Sequence, residues 1–262
     1  MTFSRAQYAA SFNVVAAKYA ATRPSYPPQL FVEIEELAGR PLSEADVLDV
    51  GAGTGIATRL LHDHGANVTA VEPSAGMATQ LRAEIPHARL LRGTGDQLPF
   101  ADATADFVTY AQAWHWTDPS RSVPEALRVL RPGGALAMWW NVDDPASVWM
   151  TEQKERLARR VPDQHRHVTP AEAGDRIREL GLGLEPVCRD DLRWTRETSV
   201  DHHLDTLASH SFLAVLDDAE VESILADERE ALLEVFPDGV VVEAYAVLLT
   251  VLVKDDAPAP QK

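Results

Sequence analysis

Apolar residues in the first twenty positions fall at Phe12, Val15, Ala16 and Tyr19, the spacing of one helix face. The segment Arg23-Pro24-Ser25-Tyr26-Pro27-Pro28 breaks that pattern, and a second helix is predicted over Gln29 to Ala38. From Asp46 short apolar runs alternate with helical periods. The runs VLDV (47–50), NVTAVE (67–72), ARLLRG (88–93), Ala105 to Tyr110 and ALAMWW (135–140) read as five strands. Helices are predicted between them: Thr54 to His64, Ser74 to Ile85, and one marked by Val123, Leu127 and Leu130 that stops before Pro132-Gly133-Gly134. Strand-helix alternation of this kind predicts a largely parallel sheet covered on both faces.

After Asn141 the pattern loosens. Helices are predicted over Trp149 to Val161, Ala171 to Leu180, Val200 to Leu216 and Asp218 to Phe236, with strands over Leu182 to Trp194 and Val240 to Lys254. The segmentation expected is a helical lid (1–40), a cofactor-binding core (41–142), a C-terminal part with cap helices and the last strands (143–254), and a tail (255–262) with nothing to bury.

Charge narrows the function classes. Lys and Arg number 24 against 40 Asp and Glu, a net charge of −16. Such a surface repels phosphate backbones, so no nucleic-acid partner is expected. The single cysteine, Cys188, excludes an internal disulfide and a cysteine metal cluster. His202 and His203 point different ways on a helix, and with His165 and His167 they match no metal motif, so no metal is expected. No apolar run approaches the length of a membrane span, and the N-terminus lacks a signal-peptide layout; a cytoplasmic protein without a membrane partner is expected.

The candidate chemistry lies at the strand ends. Asp49-Val50-Gly51-Ala52-Gly53-Thr54-Gly55 joins a strand to a helix, where glycines let a ligand approach the backbone. The spacing is G-x-G-x-G rather than the G-x-G-x-x-G of dinucleotide folds. Asp49 would repel a pyrophosphate but suits the amino group of a methionine-like ligand, which favours S-adenosylmethionine (SAM) over NAD. Glu72, ending the second strand, can accept ribose hydroxyls, and Asp96, after the third, can accept from an adenine amine.

These residues resemble those of class I SAM-dependent methyltransferases, in the small-molecule group that includes trans-aconitate methyltransferase-like and natural-product enzymes. The matching segments are YAATRPSYP (19–27), VLDVGAGTG (47–55), AVEPS (70–74), GTGDQLPF (93–100), AQAWHW (111–116), VLRPGGALAMWWN (129–141) and LASHSF (207–212). The resemblance implies a Rossmann-like α/β fold: a seven-stranded, mostly parallel sheet whose antiparallel last strand is inserted between its neighbours, with a helical cap built from the N-terminus and from 145–180 and 200–236. It implies SAM as cofactor, with S-adenosylhomocysteine as product, over Gly51, Ala52, Gly53 and Gly55. It places Glu72 and Pro73 at the ribose, with Met77 nearby, and Gly95, Asp96 and Gln97 at the adenine. Gln112 would line the cofactor, and Tyr19 and Arg23 would close over its methionine end.

Methyl transfer from a sulfonium needs alignment and exclusion of water, and a base only where the acceptor must lose a proton. His115 is the candidate general base by residue type. Tyr26, Trp114, Trp116, Trp140, Asn141 and Ser211 are candidates for the acceptor pocket, although the tryptophans suit a core equally well and Trp139 and Trp140 must face opposite ways. The expected function is methyl transfer to O, N or C of a small organic molecule, in secondary metabolism, by a monomer or homodimer. A SAM-binding regulator or cyclase on the same fold, and an NAD-linked oxidoreductase, are the alternatives.

Overall fold

The computed structural model describes residues 22–161, 170–210, 212–213 and 216–255. Tyr19, His165, His167 and Ser211 lie outside the described residues. In chain order the elements are α1 (Pro28–Ala38), β1 (Asp46–Val50), α2 (Ile56–Asp63), β2 (Asn67–Val71), α3 (Ala75–Glu84), β3 (Arg89–Leu91) and β4 (Ala105–Ala111). There follow a 3-10 turn (Trp114–Trp116), α4 (Pro119–Val129), β5 (Leu130–Asp143), α5 (Val148–Arg160), α6 (Pro170–Glu179), β6 (Val187–Ser199), α7 (Val200–Ala208), α8 (Asp218–Val235) and β7 (Val240–Val253).

The strands form one seven-stranded sheet in the order β3-β2-β1-β4-β5-β7-β6. β1 pairs in parallel with β2 and β4, β2 with β3, and β4 with β5. β7 runs the other way. Gly133 N donates to Lys254 O and Asp144 N to Ala244 O, so residues rising along β5 meet residues falling along β7. The last strand is therefore antiparallel and inserted between β5 and β6, as the resemblance implied.

The chain packs as two compact units. The larger holds residues 25–141, 170–192 and 247–255 of the described chain. Its central strands β1, β4 and β5 are buried on both faces, and the nearly unbroken apolar runs of β4 and β5 follow from that. Trp139 turns to α1, where its ring meets Phe31 edge-on at 6.2 Å, while Trp140 turns the other way to Trp114 at 6.5 Å. α1 starts with Pro28 in its first turn and buries Leu30, Phe31, Ile34 and Ala38. Polar side chains cap four helices: Ser74 accepts from Met77 N, Asp118 from Ser120 N, Ser199 from His202 N, and Asp217 from Glu220 N.

Leu130, expected at the end of a helix, opens β5 instead. Pro132-Gly133-Gly134 forms an irregularity inside that strand rather than its boundary. A Cβ at Gly134 would lie 2.9 Å from Arg131 O and 3.0 Å from Asp106 O, so only glycine lets the backbone close up there. α6, expected in the cap, belongs to the sheet unit, where it buries Ala173 and Ile177.

The second unit holds residues 22–24, 142–161 and 193–246 of the described chain. α5, α7 and α8 pack around Leu157, Val200, Leu204, Leu207, Ile224, Leu232 and Val241. Its interior also buries Glu243, whose carboxylate accepts from Arg196 Nε, from Tyr245 Oη at 2.7 Å and from His203 Nδ1 at 2.6 Å. His203 Nε2 meets Gln153 Oε1 at 3.0 Å, and Gln153 Nε2 donates to Glu228. Burial pushes the Glu243 carboxyl up, but these donors outweigh it and hold it at about 2.

Candidate active site

Parallel pairing aligns the carboxyl ends of β1, β2, β4 and β5, and the chemistry-bearing loops of the larger unit leave from those ends. The glycine loop is stitched to the neighbouring strand end: Gly51 N and Ala52 N both donate to Val71 O, at 2.8 and 3.2 Å. Gly53 N donates to Glu72 Oε2 at 2.8 Å, and Ser74 N donates to Glu72 Oε1 at 2.6 Å. One carboxylate thus clasps the loop after β1 to the loop after β2. Glu72 is only 5% exposed. Burial raises its pKa, while the Ser74 and Gly53 amides and the Arg92 charge pull the other way.

Two glycines divide the work of the loop. Gly51 has φ +70, and a Cβ there would lie 2.6 Å from Ala113 Cβ, so this glycine lets the loop pack on the segment after β4. Gly53 has φ +58, and among the described residues a Cβ there would meet only Gly51 O, at 4.0 Å. Among the described residues its outer side is open, which is what a ligand resting on the backbone requires.

Asp49 lies beneath the loop with no exposed surface. Its oxygens receive the hydroxyls of Thr58 at 2.6 Å and Thr109 at 3.2 Å. Burial pushes its carboxyl up to about 6, against the two threonine hydrogen bonds, with the Glu72 charge adding to the rise. The sequence reading set Asp49 against a ligand amino group, but the side chain has no surface to offer. Its contacts hold β1, α2 and β4 together under the loop.

The remaining candidates fall into groups. Asp96 Oδ1 accepts from Asp118 N at 2.9 Å, and Gly95 packs so closely on Tyr110 that a Cβ would lie 2.6 Å from its hydroxyl. Gln97 and Pro73 are exposed, whereas Met77 is buried with Ala78 and Leu81 on the inner face of α3. Gln112 has φ +55; its amide N–H donates to Trp139 O and its Nε2 to Asn141 O at 3.1 Å. Asn141 Nδ2 donates in turn to Ser25 O at 2.9 Å. Trp140 Nε1 donates to His115 Nδ1 at 3.1 Å, and the His115 ring lies 5.0 Å from that of half-buried Trp116.

Trp114 and Trp140 are fully buried, and Trp114 Nε1 donates to Ser122 Oγ. Their indoles are therefore packed core. Tyr26 is nearly buried and stands edge-on to Trp139. Arg23 belongs to the second unit, where its Nη1 lies 3.2 Å from His210 Nε2. Thr58, Thr109 and Ser122 were not singled out from the sequence. They come to Asp49 and Trp114 through strand register and helix packing, which leave no local pattern.

Two buried side-chain atoms at this site have no hydrogen-bond partner among the described residues: Thr54 Oγ1, in the glycine loop, and Gln112 Oε1. Buried polar groups are ordinarily satisfied, so both atoms fit a polar ligand on this side of the loop. An adenosyl cofactor suits the set: an open glycine backbone, an acid with two fixed oxygens, and two waiting oxygens. Among the described residues no group of three or more His, Cys, Asp or Glu could hold a metal ion.

The fold is an α/β sheet whose chemistry-bearing loops gather at the carboxyl ends of its parallel strands. Residues 48–138 match the methyltransferase domain family. An uncharacterised methyltransferase of Mycobacterium tuberculosis is 36% identical over 240 residues, 90% of this chain and 91% of the relative. A solved chain from Anaeromyxobacter dehalogenans, classed as a type II methyltransferase, superposes with a TM-score of 0.66 at 24% identity, covering 90% of this chain and 99% of its own. The 4+2 cyclase SpnF has the same fold, with a TM-score of 0.60 at 17% identity over 98% of each chain. The chain belongs to the class I SAM-dependent methyltransferases.

Proposed function

We propose that SAM lies over Gly51 to Gly55 with Glu72 on its ribose and Asp96 and Gln97 at its adenine, and that its methyl passes to O, N or C of a small organic molecule. The observation that carries the cofactor assignment is the Glu72 clasp. Each of its oxygens already accepts one backbone N–H, which fixes the carboxylate and leaves each oxygen a further lone pair for a vicinal diol. SAM supplies a methyl on a sulfonium whose leaving group is a neutral thioether.

The protein's share is to bind, orient and exclude water. Thr54 Oγ1 and Gln112 Oε1 gain ligand partners on binding. Gln112, held by its own backbone and by Asn141, and His115, held by Trp140, flank the space beyond β4 and β5 where an acceptor reaches the methyl. The net charge of −16 supports a small acceptor over a nucleic acid. The test is to supply the enzyme with methyl-labelled SAM and a metabolite extract. Label in a low-molecular-mass product supports the reading; label confined to protein or nucleic acid defeats it.

A further inference from the structure

Asp49 carries an inference about how the site tells cofactor from product, and it rests on SAM lying over Gly51 to Gly55 as proposed above. Asp49 is two residues from Gly51, so the chain holds its Cα within about 7 Å of the first glycine of the loop. Its side chain has no exposed surface. The elements packed against it offer neutral groups: α2 turns the Thr58 hydroxyl to it at 2.6 Å, and β4 the Thr109 hydroxyl at 3.2 Å. The charge that reaches it is that of another acid, Glu72 at the end of β2, and the Arg92 charge acts on Glu72. Among the described residues no Lys, Arg or His pairs with Asp49.

A buried carboxylate without a counter-ion is unfavourable, because the ionised form gives up its hydration and gains no opposite charge. Burial beside Glu72 accordingly pushes this carboxyl up to about 6. It lies beneath the loop, so a cation resting on the loop supplies the charge that the fold leaves out. SAM carries such a cation at its sulfur. On methyl transfer the S–CH3 bonding pair stays on sulfur, the new bond uses a lone pair of the acceptor, and the sulfur becomes a neutral thioether.

We propose that Asp49 is the buried counter-charge by which this site prefers SAM to S-adenosylhomocysteine: it favours the sulfonium through the loop, without touching it, and that hold is lost once the methyl has left. One carboxylate thus strengthens cofactor binding and eases product release.

The test is calorimetric titration of SAM and of S-adenosylhomocysteine, without acceptor, into wild type and Asp49→Asn, which keeps the shape and removes the charge. At pH 7.5 the preference for SAM should be about 10-fold greater in wild type than in Asp49→Asn, the size of a partly screened charge pair. At pH 5, where the wild-type carboxyl is largely protonated, that excess should shrink to roughly 2-fold. Equal preference in the two proteins at pH 7.5, or an excess unchanged at pH 5, overturns the inference. Wild type alone provides a second measurement, independent of whether the variant folds. A tenfold hold on the cation lowers the Asp49 proton equilibrium by about one pH unit, so at pH 6 SAM should release roughly 0.4 proton more than S-adenosylhomocysteine. Binding heats in two buffers of different ionisation enthalpy read this difference, and equal release by the two ligands overturns the inference. Each of these failures leaves both ligands bound, and so differs from failure of the cofactor reading, in which neither binds.

Discussion

Glu72 Oε2 receives the amide of Gly53 at 2.8 Å, across nineteen residues of chain. The contact joins the most permissive point of the glycine loop to the acid at the end of the next strand. The residue that fixes the loop is also the one proposed to present its oxygens to a ribose.

The two loop glycines should respond differently to alanine. Gly51→Ala forces a methyl to within 2.6 Å of Ala113 Cβ at φ +70. Overpacking and a left-handed backbone together should lower stability by about 2–4 kcal/mol. Gly53→Ala adds a methyl that clashes with none of the described residues at φ +58, so the expected cost is the backbone's, about 1–2 kcal/mol. That methyl nevertheless enters the space assigned to the ligand. Urea unfolding should rank Gly51→Ala as the less stable variant, while S-adenosylhomocysteine titration of Gly53→Ala should show affinity lost out of proportion to its stability.

Asp49 makes the larger unit pH-sensitive in a definite direction. Its folded pKa, about 6, lies above the ordinary value of 3.8. Between those values the folded state binds the proton more tightly, so stability falls as pH rises from about 4 to 6. A shift of this size corresponds to roughly 3 kcal/mol. Asp49→Asn cannot titrate. The stability of wild type minus that of Asp49→Asn should therefore decline across this window and level off above it. A flat difference curve from pH 3.5 to 7 would remove Asp49 as its source.

Glu243 in the second unit has the opposite sign. Held at about 2 against an ordinary 4.5, it contributes stability that is fully present above pH 4.5 and lost as pH falls toward 2. Glu243→Gln leaves the Arg196 guanidinium without its buried counter-charge and His203 Nδ1 without its carboxylate partner. The cost at pH 7 should be about 3–5 kcal/mol, the range for breaking a buried pair from one side. Chemical unfolding at pH 7 and pH 3 should show wild type and variant far apart at the first and closer at the second. Equal gaps at both would contradict the assignment.

Much of this was legible in the sequence, for physical reasons. The alternation from Val47 to Trp140 is strong because buried parallel strands are continuous apolar runs and their helices carry one apolar face. The sixth strand is harder: the pattern starts it at Leu182, the structure at Val187, because Leu182 sits in a turn between Gly181 and Gly183. The helix read through Leu216 ends at Ala208, where Ser209 is the C-cap and donates its hydroxyl to Thr206 O.

At the site, the glycine spacing and Glu72 stand out as a motif. The threonines that hold Asp49 do not. Thr109 reaches it only through parallel register, and Thr58 only through the turn into α2. The Trp140–His115 contact depends on which face of β5 each tryptophan takes, a matter of register that neighbouring aromatics leave undecided.

The most direct test of the account is calorimetric titration of S-adenosylhomocysteine into wild type and Glu72→Ala. Removing the carboxylate frees the Gly53 and Ser74 amides and takes away both ribose acceptors. Affinity should drop by roughly 100-fold or more, about 3 kcal/mol for lost charge-assisted hydrogen bonds. Wild type that binds while Glu72→Ala, still folded, binds much more weakly is the predicted result; no binding by wild type, or equal affinity in the two proteins, would contradict it.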